Sequence, residues 1–275
     1  QLMVDEGDPF SEILVNKSIN NIKSLNFFKS VKSKIVDNDE YETKSIDIFV
    51  EEKPTGEIYA SAGAGTSGAS FGFGVKENNF LGQGIGLDTN ALISTSQFKG
   101  KISVTNPNFN NSDKSLYVSA EATEIDNYET FGYKTNKTGF RVGTNFEYLN
   151  DFYLGINSSN FYEKIETNST ASAMQKKQEG NYWDSFITLD MNYDKRNQKF
   201  QTNSGFKSFY SVDLPIISET NTIKNYYNYS HYFDFFEKNF SSISIYLQSA
   251  NSLNNKDIKL SERITIPSSR LRGFE

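Results

Sequence analysis

The chain has 275 residues, no cysteine and a net charge of −6, so disulfides and thiolate metal sites are excluded. A nucleic-acid binder needs a basic patch, which this charge balance disfavours. Tyr and Phe are abundant while mean hydropathy is negative. No run approaches the ~20 apolar residues of a membrane helix.

That last exclusion does not reach membrane β-strands, which need only ~9–11 residues with every second side chain facing lipid. Gln1 opens the chain without a signal peptide. This fits either a cytoplasmic protein or one whose beginning lies upstream, and the strand pattern below favours the second.

The first 55 residues read as a small α+β unit. Asp8 and Pro9 form a helix start, a capping side chain followed by a proline that needs no donor. Ile13, Leu14, Ile19, Ile22 and Leu25 then recur at three- and four-residue spacing and predict one apolar helical face. Past Phe27 and Phe28 the pattern alternates. Val31 and Ile35, then Ile46, Ile48 and Val50, predict two short strands around a polar turn at 37–42. Lys53, Pro54, Thr55 and Gly56 combine two helix breakers and predict the domain boundary. A unit this small buries too little surface to be complete.

From Glu57 onward the period is two. Ile58, Ala60, Ala62 and Ala64 alternate with Tyr59, Ser61, Gly63 and Gly65, and Phe71, Phe73 and Val75 follow between glycines. Phe140, Val142, Phe146 and Tyr148 repeat the pattern, as do Ile187, Leu189, Met191 and Tyr193, then Ile243, Ile245 and Leu247. The opposite face holds Gly, Ser, Thr, Asn and scattered charge, which suits a wet lumen inside an apolar band. Tyr226, Tyr227, Tyr229, Tyr232, Phe233 and Phe235 predict an interfacial girdle. Short turns at 77–82, 149–151 and 237–240 alternate with longer connections at 124–136 and 164–181. The reading is eleven strands of an antiparallel transmembrane β-barrel up to about Asn254. Single-chain barrels usually have an even count, and an open edge in hydrocarbon is costly, so further strands are expected after Glu275.

Three signals are discounted. Gly63 to Gly68 matches GxGxxG, but a strand follows it, so no helix N-terminus is present to hold a pyrophosphate. His231 is the single histidine, sits among tyrosines, and reads as a girdle or lumen residue. No pair of carboxylates stands out as an acid–base couple. Neither enzymatic activity, nor a cofactor, nor a metal is expected.

Five segments together resemble one family: the outer-membrane assembly factors that join polypeptide-transport-associated (POTRA) domains to a bacterial-surface-antigen barrel. Leu25-Asn26-Phe27-Phe28 resembles the Leu-Gly-Phe-Phe turn of a POTRA domain. Gly56 to Gly68 with Asn79-Phe80-Leu81-Gly82-Gln83-Gly84 resembles the family's first barrel hairpin. Ser103 to Phe109 resembles its fourth strand and turn. Asp194, Arg196, Thr202 and Gly205 resemble the Asp-Arg…Pro-Thr-x-Gly turn, with Gln201 where proline is usual. Leu271, Arg272, Gly273 and Phe274 resemble the Val-Arg-Gly-Phe tip of the sixth external loop.

The resemblance implies that residues 1–55 are the end of the last POTRA domain, in the periplasm. Residues 56–275 would then be strands one to eleven of a sixteen-strand barrel in the bacterial outer membrane, ending in the sixth external loop. It also implies that the first strand (Ile58, Ala60, Ala62, Gly63, Ala64, Gly65) borders a lateral gate. Arg272, with Arg270 as a competitor, would fold inside the barrel to meet carboxylates of later strands. Partners implied are unfolded outer-membrane clients, accessory lipoproteins and the bilayer. Related pores remain open as alternatives: a two-partner secretion pore, the translocation and assembly module, and organellar relatives. A passive porin would lack the N-terminal unit.

Overall fold

The computed structural model describes residues 2–38, 43–65, 68–198, 202–236 and 240–264. Helix α1 (Glu12–Ser24) and the hairpin of β1 (Phe28–Asn38) and β2 (Thr43–Glu52) form a small unit. The helix starts four residues after the expected Asp8. The Asp8 carboxylate instead accepts the Asp5 N–H at 2.9 Å in a turn through Gly7, so it is spent before the helix begins. Its buried stripe is Val15, Ser18 and Ile19, whereas Ile13 and Leu14 face outward. Ser18 explains the shift: its hydroxyl donates to Leu14 O and accepts from Met3 N, tying the leading segment to the helix. Asn26 has φ +60° between Leu25 and Phe27, a left-handed position that asparagine tolerates better than most residues. In the hairpin, Val31 faces Val50 and Ile35 faces Ile46, and pairing runs to Asn38 and Thr43. The turn itself lies outside the described residues.

The remaining strands make one antiparallel sheet. They are β3 (Gly56–Gly65), β4 (Gly68–Phe80), β5 (Ile85–Ser94), β6 (Gln97–Asn106), β7 (Lys114–Asn127), β8 (Tyr133–Leu149), β9 (Phe152–Thr167), β10 (Gly180–Asp194), β11 (Gly205–Ile217), β12 (Thr222–Phe233) and β13 (Ser241–Ser252). Sheet order equals chain order, with β3 and β13 as the outer strands among the described residues. Each inner strand therefore pairs with both of its sequence neighbours, which is the meander of an antiparallel β-barrel wall.

Register sorts the side chains cleanly. One face carries Ile58, Phe71, Phe73, Ile93, Ile102, Val118, Phe140, Val142, Ile156, Ile187, Ile243 and Leu247. These remain solvent-accessible: Ile58 is 76% and Phe71 62% exposed. A continuous exposed apolar face of this size is a lipid-facing belt rather than a soluble surface. The opposite face holds Lys76, Asp88, Lys101, Glu121, Arg141, Glu163, Asp184, Asp213 and Lys224, a polar lumen. No helix among the described residues is long and apolar enough to span a membrane.

Aromatic rings mark the edges of the belt. Near the end where β3 leaves the small unit, Phe152, Tyr193, Phe206, Tyr229, His231 and Phe233 stack in a row at ring spacings of 5.4 to 6.4 Å. At the far end Tyr162 and Trp183 pair on the outer face. Along β10, Trp183 and Tyr193 are ten residues apart. At ~3.3 Å per residue and a tilt of about 40°, that spans about 25 Å, the height of such a belt. Alternation divides the expected girdle: Tyr227, Tyr229 and Phe233 face lipid, whereas Tyr226 and Tyr232 face the lumen.

The connections expected to be long are shorter. β7 and β8 stay paired to Asn127 and Tyr133, leaving a helical turn α2 (Tyr128–Phe131) ended by Gly132 at φ +77°. β9 and β10 stay paired to Ile165 and Gly180, leaving a loop that holds α3 (Ala173–Lys176) behind a Ser172–Gln175 capping box. The polar residues that suggested loops are outward-facing strand residues beyond the belt. Lys134 bonds Glu124 at 2.6 Å and Asp126 at 3.5 Å across the pair, and Lys164 bonds Glu166 at 2.6 Å. Conversely, the turn expected at 77–82 begins only at Leu81, because β4 continues through a bulge to Phe80. Leu149 likewise closes β8, so only Asn150 and Asp151 turn, while the connection at 237–240 falls mostly outside the described residues.

Mid-belt position predicts the cost of charge. Val142→Arg should destabilise the folded protein by ~2–4 kcal/mol in urea titrations in lipid vesicles, whereas lumenal Asn90→Arg should change it by less than about 1 kcal/mol.

Candidate functional site

Among the described residues the outer strand β3 pairs with β4 alone, from Gly56 opposite Glu77 to Gly65 opposite Gly68. Its lipid face is Ile58, Ala60, Ala62 and Ala64; its lumenal face is Glu57, Tyr59, Ser61 and Gly63. Tyr59 lies across Gly74, where a Cβ would strike the ring, and Ser61 sits over Gly72. Small residues thus let β3 seat closely on β4 while offering little area to anything on its other side. At its start β3 is clamped. The Thr55 hydroxyl bonds the Glu77 carboxylate, which also accepts Asn79 N–H at 2.7 Å, and Asn78 reaches Thr55 O. Its last four residues, Ala62 to Gly65, are only Ala and Gly, and each strand glycine weakens a strand by ~0.5–1 kcal/mol. In an antiparallel edge roughly every second residue points its N–H and C=O away from the sheet. Strand β3 therefore presents about five such pairs of groups, a template for another strand.

Asp194, Arg196, Thr202 and Gly205 come together at the turn between β10 and β11. Arg196 grips Asp194 through two bonds, Nε to Oδ1 and Nη2 to Oδ2, each 2.7 Å, with both side chains largely buried. That bond raises the arginine pKa above its usual value, and the guanidinium lies 5.9 Å from the Tyr232 ring. Thr202 is buried and donates to Gln198 O at 2.7 Å. Gly205 has φ +96°, and a Cβ there would collide with Lys195 O. The four residues are tied together around the described ends of this turn. It lies seven strands along the sheet from β3, so the two groups do not form one site. Leu271, Arg272, Gly273 and Phe274 lie outside the described residues, as do Arg270 and Gln201.

Sequence reading missed a buried ionic cluster on the lumenal wall, where Lys259 meets Glu163 and Asp184. Its members are far apart in the chain and ordinary in type, so only register and the path after β13 bring them together. No cluster of metal-ligand side chains occurs among the described residues.

Gly205→Ala should lower stability by roughly 1–3 kcal/mol, because it forces a side chain into a left-handed conformation against a carbonyl. The unfolding midpoint in urea reads this, and an unchanged midpoint would show that the turn relaxes freely.

A model of the Omp85 superfamily domain matches residues 79–275. Among solved structures, the chain is similar to BamA from Haemophilus ducreyi lacking POTRA domains 1–3, at 19% identity and a TM-score of 0.77. The match covers 94% of this chain and 53% of that one. It is also similar to CdiB from Escherichia coli, at 12% identity and a TM-score of 0.54, over 90% of this chain and 50% of that one. CdiB from Acinetobacter baumannii matches at 8% identity and a TM-score of 0.50, over 94% and 50%. The chain spans about half the length of these structures, and at such identities the likeness is one of fold. With register, belt and family match in agreement, the chain belongs to the Omp85 superfamily and forms part of a BamA-like β-barrel.

Proposed function

We propose that the chain is the end of the last POTRA domain (1–55) and the first eleven strands (56–275) of an outer-membrane assembly factor. In this reading the factor folds and inserts other β-barrel proteins, with residues 1–55 in the periplasm. The observation that carries the reading is the edge of β3. Clamped at its start by Thr55 and Glu77, the strand ends in Ala62, Gly63, Ala64 and Gly65, small residues that give a seam little side-chain packing. A seam closed by a few backbone hydrogen bonds, each ~0.5–1.5 kcal/mol net, is weak enough to open sideways. An unfolded client strand then adds to the edge and recovers the same bonds. The client's folding supplies the driving force and no covalent bond changes, so the role is not enzymatic.

The partners in this account are unfolded outer-membrane clients, the bilayer along the apolar belt, and accessory lipoproteins at the N-terminal unit. The polar lumenal face suits a second reading, a dedicated secretion pore of the same superfamily that exports one cargo.

Depletion of the full-length protein in its host, followed by quantitative proteomics of the outer membrane, separates the two. A broad fall in unrelated β-barrel proteins is the expected result. Loss of one secreted protein with other barrels intact would instead identify a secretion pore. A disulfide joining β3 to the barrel's closing strand should abolish assembly, with activity restored by reduction.

A further inference from the structure

After β13 residues 253–264 do not project outward. Leu253 N donates to Asn221 O at 3.0 Å and Asn254 Nδ2 to Glu219 O at 2.8 Å, so the segment first hugs the turn between β11 and β12. It then crosses the lumenal side of β12 and β11 to reach β10 and β9. Gln178 holds it twice, donating to Ile258 O and accepting Leu260 N–H at 2.9 Å. Ser261 donates to Glu163 at 2.7 Å, and Thr220 donates to Glu262 at 2.9 Å, with Thr222 donating in turn to Thr220.

At the centre of this strap is Lys259, 1% exposed. Its ammonium bonds Asp184 directly, lies 3.7 Å from Glu163 Oε2, and sits 4.7 Å from the Tyr182 ring. Both carboxylates are as buried as the lysine, and Glu163 Oε1 and Asp184 Oδ1 have no hydrogen-bond partner in the structure. Lys137 on β8 stands opposite Glu163 in register. The wall therefore holds two adjacent buried acids whose direct counter-charge arrives on the strap. Removing one member of a buried ionic group leaves uncompensated charge, which is far worse than never having built it.

We propose that Lys259 is an ionic pin that fastens residues 258–262 across the lumenal wall over β9 to β12. Without the pin, the wall's two acids draw water into the contact and the strap lifts as a unit. The inference is independent of whether the barrel assembles clients or exports a cargo.

Thr222 reports the strap's position, because it is wholly buried on β12 and bonds Thr220, which in turn holds Glu262 of the strap. In full-length protein free of other cysteines, purified in detergent, Thr222→Cys should react slowly with a maleimide. Adding Lys259→Met should speed labelling at least tenfold. Ser119→Cys, equally buried on β7 but away from the strap, should stay slow in the same background. Gln178→Ala, which removes two neutral hydrogen bonds, should speed Thr222→Cys labelling only a few-fold. If Lys259→Met does not fold, Glu163→Gln with Asp184→Asn decides the matter and should give the same tenfold rise. An unchanged rate at Thr222→Cys, or an equal rise at Ser119→Cys, would overturn the pin.

Discussion

Inside hydrocarbon every peptide N–H and C=O must find its partner within the protein, and most of this structure follows from that demand. It explains why eleven successive strands pair in chain order, and why α2 and α3 are single turns between long ladders. It also gives an unfilled edge its meaning. A soluble sheet can leave an outer strand to water; a strand at membrane depth holds its unpaired groups at several kcal/mol each until another strand arrives. In the proposed function β3 serves that exchange. Tyr59 covers Gly74 on β4, while Ala62, Gly63, Ala64 and Gly65 offer little side-chain area to a further strand. Most of the binding energy of a newcomer must then come from backbone hydrogen bonds, which do not depend on its sequence.

The lumenal face obeys the converse rule. Charge is permitted there because water and counter-charge are at hand, and the wall uses both. Arg141 bridges to Glu121 at 3.2 Å and stacks on Phe161, which Lys137 also covers. Asp194 and Arg196 stiffen one turn, while Glu163, Asp184 and Lys259 tie a later segment to strands that precede it by some 75 residues or more. These contacts link parts of the meander that the ladder alone leaves independent, so the barrel's shape is held across strands as well as along them.

Much of the wall was legible because its signal is local. Alternation of Ile58, Ala60 and Ala62 with Tyr59 and Ser61 states both the strand and its faces, and the same held through Leu247. Where the reading erred, a longer-range influence decided. Asp8 looked like a helix cap, but Asp5 claimed its carboxylate. The ends of the loops expected at 124–136 and 164–181 looked like loop because they are polar, yet strands continue past the lipid belt, to Asn127 and Thr167 and back from Tyr133 and Gly180, where outward charge is free. Tyr226 and Tyr232 looked like girdle residues, although a period of two sends them inward. The Asp194 turn was visible as a pattern, but its basis, the clash that any side chain at residue 205 would make with Lys195 O, is visible only in three dimensions. Lys259 carried no sequence signal, since its meaning lies entirely in where the chain turns after β13.

The central claim is that β3 is the strand onto which an incoming chain is added. The direct measurement places a photo-crosslinker at Ala62, and for comparison at Val142 in the middle of the wall, in full-length protein actively inserting a radiolabelled client barrel into vesicles. The account predicts adducts at Ala62 that map to one terminal strand of the client and disappear once the client is released, with none at Val142. Equal capture at both positions, or client folding without any adduct at Ala62, would contradict it.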